Sequence, residues 1–306
     1  MEDRRWANSL GGFALVVNII ALNCTLLWLR ARPGHTAPEV LALGNLFFGL
    51  IALVPLGSSR HLKRPSWRYI IIWSVGYCLT YYVFVTFPSL LPLSLLRVAQ
   101  TVAPTAAVFI TGDWRREQVS RAEFALAGLG LLLLAGMAYL QTKTSFQLIG
   151  LLIFIGIALY DLVSQSIARV LVRSVPGFWI SAHLSLTNGI MLTAWAITRH
   201  RSLFTGQILR DGGLLAVGIF VVQIPLFFGL RLARPLMAGL ILATGVLAGT
   251  LLEAIVTRNR PANSVLLTGV IFTCVLAVSK AIRTRRISRT ELANCGPSQR
   301  TSADVL

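Results

Sequence analysis

Long apolar runs separated by short charged connectors repeat along the whole of this chain. A membrane-spanning helix needs about 20 mostly apolar residues. Ten stretches come close to or reach that length: 8–29, 38–57, 69–87, 89–111, 121–141, 146–167, 176–198, 212–230, 233–256 and 263–282. Two of the divisions carry little polar linker. One is Phe87-Pro88, between the third and fourth stretches; the other is the basic Arg231-Leu232-Ala233-Arg234, between the eighth and ninth. Both fall between the third and fourth helix of a set of five.

That coincidence extends to a repeated helix pair. From Pro88 to Leu140 the chain runs as an apolar helix, a charged turn and a second, glycine-rich apolar helix. From Arg231 to Ala281 it does so again. The expected fold is therefore all-α and integral to a membrane, with about ten transmembrane helices arranged as two five-helix repeats. An odd number of spans makes each half enter from the opposite side, so the repeats are inverted. The expected divisions are 1–143 for the first repeat, 144–282 for the second, and 283–306 for a polar, basic tail.

Composition supports lipid as the solvent. Of 306 residues, 55% are hydrophobic and 13% charged, against roughly 25% charged in ordinary globular domains. The formal charge of +17 sits in the connectors, which marks it as a topology signal rather than a nucleic-acid surface. With ten spans and a cytoplasmic start, 19 Lys and Arg fall on the inner side and 8 on the outer. Both termini are thus expected in the cytoplasm, and the short loops suit a bacterial inner membrane. Cys24, Cys78, Cys274 and Cys295 have no CxxC spacing and the four histidines no HxxxH, so no metal site, disulfide framework or cofactor is expected. Gly245 and Gly249 permit close helix approach, within the chain or in a homodimer.

The architecture resembles the drug/metabolite transporter superfamily, in its ten-helix EamA-type branch. The residues that carry the likeness run from Ala103 to Gly136, with Pro104 in the first helix, Gly112-Asp113 at the turn and Gly128 in the second helix. Gly245 to Gly269 has a similar rhythm. The second-half turn departs from the pattern: Thr257-Arg258-Asn259-Arg260 holds no acid. The resemblance implies a secondary transporter of small solutes, working between two inverted halves.

Polar groups inside the apolar runs are the candidate site. Arg97 lies roughly 13 Å into the fourth span at 1.5 Å per residue, where an arginine costs about 2.5–3.5 kcal/mol to insert. Gln100, Thr101 and Pro104 share its helix face. Together they offer a site for a carboxylate or phosphate; the structural alternative is a pairing with an acid on another helix or an outward snorkel. Asp161, with Gln165 and Arg169 at i+4 and i+8, is a candidate for cation or proton coupling, or an interfacial ion pair. Glu253, near the outer end of the ninth span, is a candidate gate, or simply solvated by Arg258 and Arg260. Tyr77 and Tyr81 share a face at i+4. They join Asn188 and Gln223 as substrate contacts, with Asn18, Asn45 and His183 as further deep polar groups. Each has an ordinary alternative as interhelical hydrogen-bonding. Pro225 inside the eighth span, like Pro104, bends its helix and provides a gate.

The function expected is a secondary transporter that exports or exchanges a small metabolite or amino-acid-like solute by alternating access. No GxxxxGK[ST] loop is present for direct nucleotide use. The competing readings are a non-transporting membrane scaffold and an intramembrane lipid-modifying enzyme. For the latter, the acidic cluster Asp113, Glu117 and Glu123 lies among arginines and reads as a solvated turn.

Overall fold

The structure, a computed structural model, describes residues 2–31, 37–54, 65–86, 148–199 and 205–257, with isolated positions between 103 and 129. Arg97, Gln100, Thr101 and Pro104 lie outside the described residues, as do most of the stretches at 89–111 and 121–141 and all of 263–282. The described residues are helical, with no strand among them.

Six helices follow the apolar runs closely: α1 (Glu2–Arg30), α2 (Ala37–Leu53), α3 (Trp67–Thr86), α4 (Leu148–Leu171), α5 (Gly177–Thr198) and α6 (Gly206–Leu232). Two shorter ones follow, α7 (Pro235–Ala243) and α8 (Gly245–Thr257). The segments Trp6–Leu29 and Gly206–Leu232 are long and apolar enough to cross a membrane by length and composition. With 27 residues, α6 extends about 40 Å at 1.5 Å per residue, against a hydrocarbon core of about 30 Å.

Local chemistry sets the helix ends. Thr205 caps α6, its hydroxyl oxygen accepting from the Ile208 amide at 3.3 Å, which satisfies one of the open amides of the first turn. Pro235 ends the run by forcing Arg234 into an extended conformation (φ −61°, ψ 137°), since the residue before a proline is pushed out of the helical region. The Arg234 amide, without a helical acceptor, donates to the Asn8 side chain on α1 at 2.9 Å.

The ninth stretch, expected as one span over 233–256, is two helices. The break is at Thr244, whose amide and hydroxyl both donate to the Ile241 carbonyl, at 2.9 and 2.7 Å. A threonine that bonds back three residues tightens its turn and competes with the regular ladder, and the following Gly245 offers no side chain to resist.

Packing makes α2 the centre, against α5 on one side and α6 on another. Helix α1 lies along α6, α7 and α8, while α3 rests on α5 and α4. Two glycines allow α2 and α5 to cross closely, and they do so reciprocally. A Cβ at Gly49 would stand 2.6 Å from the Leu186 amide nitrogen; one at Gly189 would stand 2.6 Å from that of Leu46. Leu46 and Gly49 are thus opposed to Leu186 and Gly189, at the same spacing on each helix.

Polarity is distributed as lipid requires. Phe13, Leu79 and Val217 are more than 60% exposed, whereas Asn45 and Ser181 are fully buried. In water such a surface would be a large exposed apolar patch, which soluble monomers rarely carry. In hydrocarbon it is the expected arrangement, with polar groups turned to protein.

Candidate functional site

Helix α3 carries the aromatic wall of an interior cavity. Tyr77 and Tyr81, one turn apart, stack with ring centroids 4.3 Å apart and planes at 29°. The i,i+4 spacing brings them to the same face. Behind Tyr77 stands Asn45, fully buried on α2. Its amide donates to the Leu41 carbonyl at 2.9 Å and more weakly to the Tyr77 hydroxyl at 3.4 Å. Tyr77 is therefore held from a second helix.

Helix α4 comes close to α3 because position 76 has no side chain: a Cβ there would overlap the Tyr160 ring. That approach brings Tyr160, Asp161, Ser164 and Gln165 to the same cavity as Tyr77 and Tyr81. Ser164 donates to the Asp161 main-chain carbonyl at 2.9 Å, which turns its hydroxyl into its own helix.

From α5 comes Asn188, and from α6 Gln223, which accepts from the Ser185 hydroxyl at 3.4 Å. Pro225 sits two residues beyond Gln223 and has no amide hydrogen for the Val221 carbonyl. The neighbouring Val222 carbonyl accepts instead from Asn18 on α1 at 2.7 Å. Asn23, a turn further along α1, donates to the Ile19 carbonyl at 2.8 Å and to Gly245 at 3.3 Å. It thereby ties the cavity to the break between α7 and α8.

The result is a cavity of about 170 Å³, near the roughly 150 Å³ that admits a benzene-sized molecule. Seven residues singled out from the sequence line it together: Asn18, Tyr77, Tyr81, Asp161, Gln165, Asn188 and Gln223. They come from five helices and both halves of the chain. Glu253 belongs to α8 by its backbone, and its side chain is outside the described set. His183 is elsewhere, its Nδ1 2.8 Å from the Trp179 carbonyl and its ring against Trp67 and Trp179. This is a packed histidine in an aromatic setting.

Three cavity residues escape a reading of single runs: Asn23, Tyr160 and Trp73. Asn23 sits deep in an apolar stretch as Asn18 does, and that depth was the available signal. Tyr160 and Trp73 look like ordinary apolar filling until α3 and α4 are brought together.

One chemical feature unites the polar wall. The Asp161 Oδ2, Gln165 Oε1, Asn188 Oδ1 and Asn23 Oδ1 atoms are buried and have no hydrogen-bond partner, and all four residues line the cavity. A buried acceptor without a partner costs about 1–3 kcal/mol. Among the described residues no group of three or more His, Cys, Asp or Glu gathers as a metal site.

No family model and no curated protein matches the sequence. Similarity appears instead in three dimensions, where 14 chains of solved structures match. One of these, a crystal structure of a protein, superposes with a TM-score of 0.66 over 92% of this chain and 99% of its own, at 16% identity. So distant a sequence relation carries the fold alone. It says that this helical arrangement, over nearly this extent, is a stable architecture found by experiment.

Proposed function

We propose that the chain is a membrane-embedded secondary transporter of a small organic solute, built as two inverted five-helix halves in the manner of the ten-helix EamA-type branch of the drug/metabolite transporters. The observation that carries this reading is the cavity: a polar-walled space inside an apolar-surfaced helical protein, with walls drawn from both halves of the chain. Transporters with inverted repeats place their sites between the repeats, where helices are interrupted. Here the cavity meets a proline inside α6 and the break between α7 and α8. The reciprocal contact of Leu46 and Gly49 with Leu186 and Gly189 supports duplication, because two copies of one helix that meet across a pseudo-two-fold axis touch through equivalent residues. The exposed apolar faces of α1, α3 and α6 support insertion in a bilayer, with the excess of inner Lys and Arg orienting both termini to the cytoplasm.

Alternating access then requires the two halves to rock about the cavity. Pro225 in the middle of α6 and the break at Thr244 are the places where backbone can bend at least cost. Purified protein in liposomes, loaded with and exposed to labelled amino acids, nucleosides, sugar phosphates and organic cations, tests the reading. Exchange of at least one solute is expected, and it should fall when Asn188→Leu removes a cavity acceptor. A protein that folds and inserts but exchanges nothing in that panel is a scaffold; one that returns a covalently altered solute is an enzyme.

A further inference from the structure

Asp161 is the one charged residue among those that line the cavity, and its sign points to the ligand. We infer that the cavity recognises a protonated amine on a compact apolar body, its ammonium group held by the Asp161 carboxylate with the Asn188 and Gln165 side chains on the same wall, and its body laid against the Tyr77–Tyr81 stack. The inference rests on the transporter reading for its biological sense but not for its chemistry.

Asp161 is buried, 9% exposed, and its Oδ2 has no partner. Uncompensated burial of a carboxylate is costly, and the compensation is an opposite charge with hydrogens to donate. A proton taken up by Asp161 satisfies that group and leaves the other three oxygens open. A primary ammonium brings a positive charge and three donors at once. The orientation of Asn23 is fixed, since its amide nitrogen is held by the Ile19 and Gly245 carbonyls and only its oxygen remains. Asn188 is 2% exposed and Asn23 3%, so bulk water does not meet their needs.

The rest of the wall suits the remainder of such a molecule. Leucine and phenylalanine side chains, among them Leu184 and Phe227, complete the lining. Stacked tyrosine rings offer π faces to a cation as well as apolar contact. A bare metal ion would leave most of about 170 Å³ unfilled. An anion would meet the Asp161 carboxylate with no cation on the wall to offset it.

Calorimetric titration of the detergent-solubilised full chain with phenethylamine, phenylacetate and phenethyl alcohol separates charge from shape, because the three share one apolar body. Saturable binding of phenethylamine is expected, at least tenfold tighter than of either relative. In Asp161→Asn it should weaken by about ten- to a hundredfold, the usual contribution of a charge-assisted hydrogen bond. Asn188→Leu should weaken it by a smaller factor. Equal or tighter binding of phenylacetate overturns the inference, as does amine binding that Asp161→Asn leaves unchanged, or an equal heat from sodium chloride alone. If Asp161→Asn does not fold, the comparison of the three ligands on the unaltered chain still decides. Amine binding without exchange in liposomes keeps this site and removes the transporter. Exchange of other solutes that excess phenethylamine does not slow keeps the transporter and removes this site.

Discussion

Gly189 and Asn188 are neighbours on α5, yet they serve two regions built by opposite rules. Gly189 belongs to the crossing of α2 and α5, where each helix offers a leucine and, three residues on, a glycine. Asn188 belongs to the cavity, where the match is mostly lost. The shift in sequence that carries Leu46 to Leu186 and Gly49 to Gly189 also carries Ala21 to Asp161, Phe48 to Asn188 and Val83 to Gln223. At the crossing α2 and α5 present the same leucine and glycine because the fit of small to large is the same problem from either side. Those three cavity residues are polar and their counterparts apolar, whereas the same shift pairs Thr25 with Gln165, both polar and both on the cavity wall. A second buried carboxylate facing Asp161 would add like-charge repulsion to the desolvation already incurred. The reciprocal contact joins α2 to α5, and the cavity draws its polar wall from positions that the same shift leaves mostly unmatched.

The comparison can be broken most directly at the crossing. Gly49→Ala and Gly189→Ala each drive a methyl group into backbone, which cannot rotate away, and each is expected to cost about 2–3 kcal/mol. Thermal unfolding in detergent should show both as large falls in melting temperature. The double variant should cost less than the two singles together, because helices already forced apart by one methyl group leave room for the other. Unchanged melting temperatures, or strict additivity, would separate the two glycines and undo the reciprocal contact.

Asn18→Leu comes next. It deprives the Val222 carbonyl of its 2.7 Å partner beside Pro225, a loss of about 1 kcal/mol for an interhelical hydrogen bond in a membrane. A melting temperature equal to that of the unaltered chain would mean that α6 around Pro225 needs no support from α1. Asn188→Leu should have the reverse sign. Replacing a buried, unpartnered acceptor by an apolar side chain of similar size stabilises the empty protein by about 1 kcal/mol, while ligand exchange falls. A destabilisation as large as that of the glycine variants would place Asn188 among the packing residues and erase the contrast. The smallest effect is expected from Gly213→Ala. A methyl group there meets nothing within 4 Å, so the helix gains about 0.5–1 kcal/mol from the lower backbone entropy of alanine.

Much of this arrangement was legible along the chain. Tyr77 and Tyr81 fall on one face by spacing alone, and Asn18, Asn45, Asn188 and Gln223 are conspicuous as polar groups deep in apolar runs. Asp161 was read with two meanings, an interfacial partner of the Arg169 neighbourhood or a coupling group. It lines the cavity, and its Oδ2 has no hydrogen-bond partner. The division of the ninth stretch was hidden because Thr244 and Gly245 are tolerated within membrane helices. Whether threonine turns back to bond its own helix depends on what surrounds it.

Apolar runs of helix length, few charges and a basic excess in the connectors were enough to specify an all-helical chain suited to lipid, since burying a segment's backbone in hydrocarbon demands helix whatever its neighbours. Convergence was another matter. Which faces of α3, α4, α5 and α6 meet depends on side chains removed or shortened at single positions, Gly76 beneath Tyr160 and Gly49 beneath Leu186 among them, and on partners more than a hundred residues away. Period and composition describe one helix at a time. Asn23, Asp161, Gln165 and Asn188 came to line one space only when tertiary packing brought their helices together.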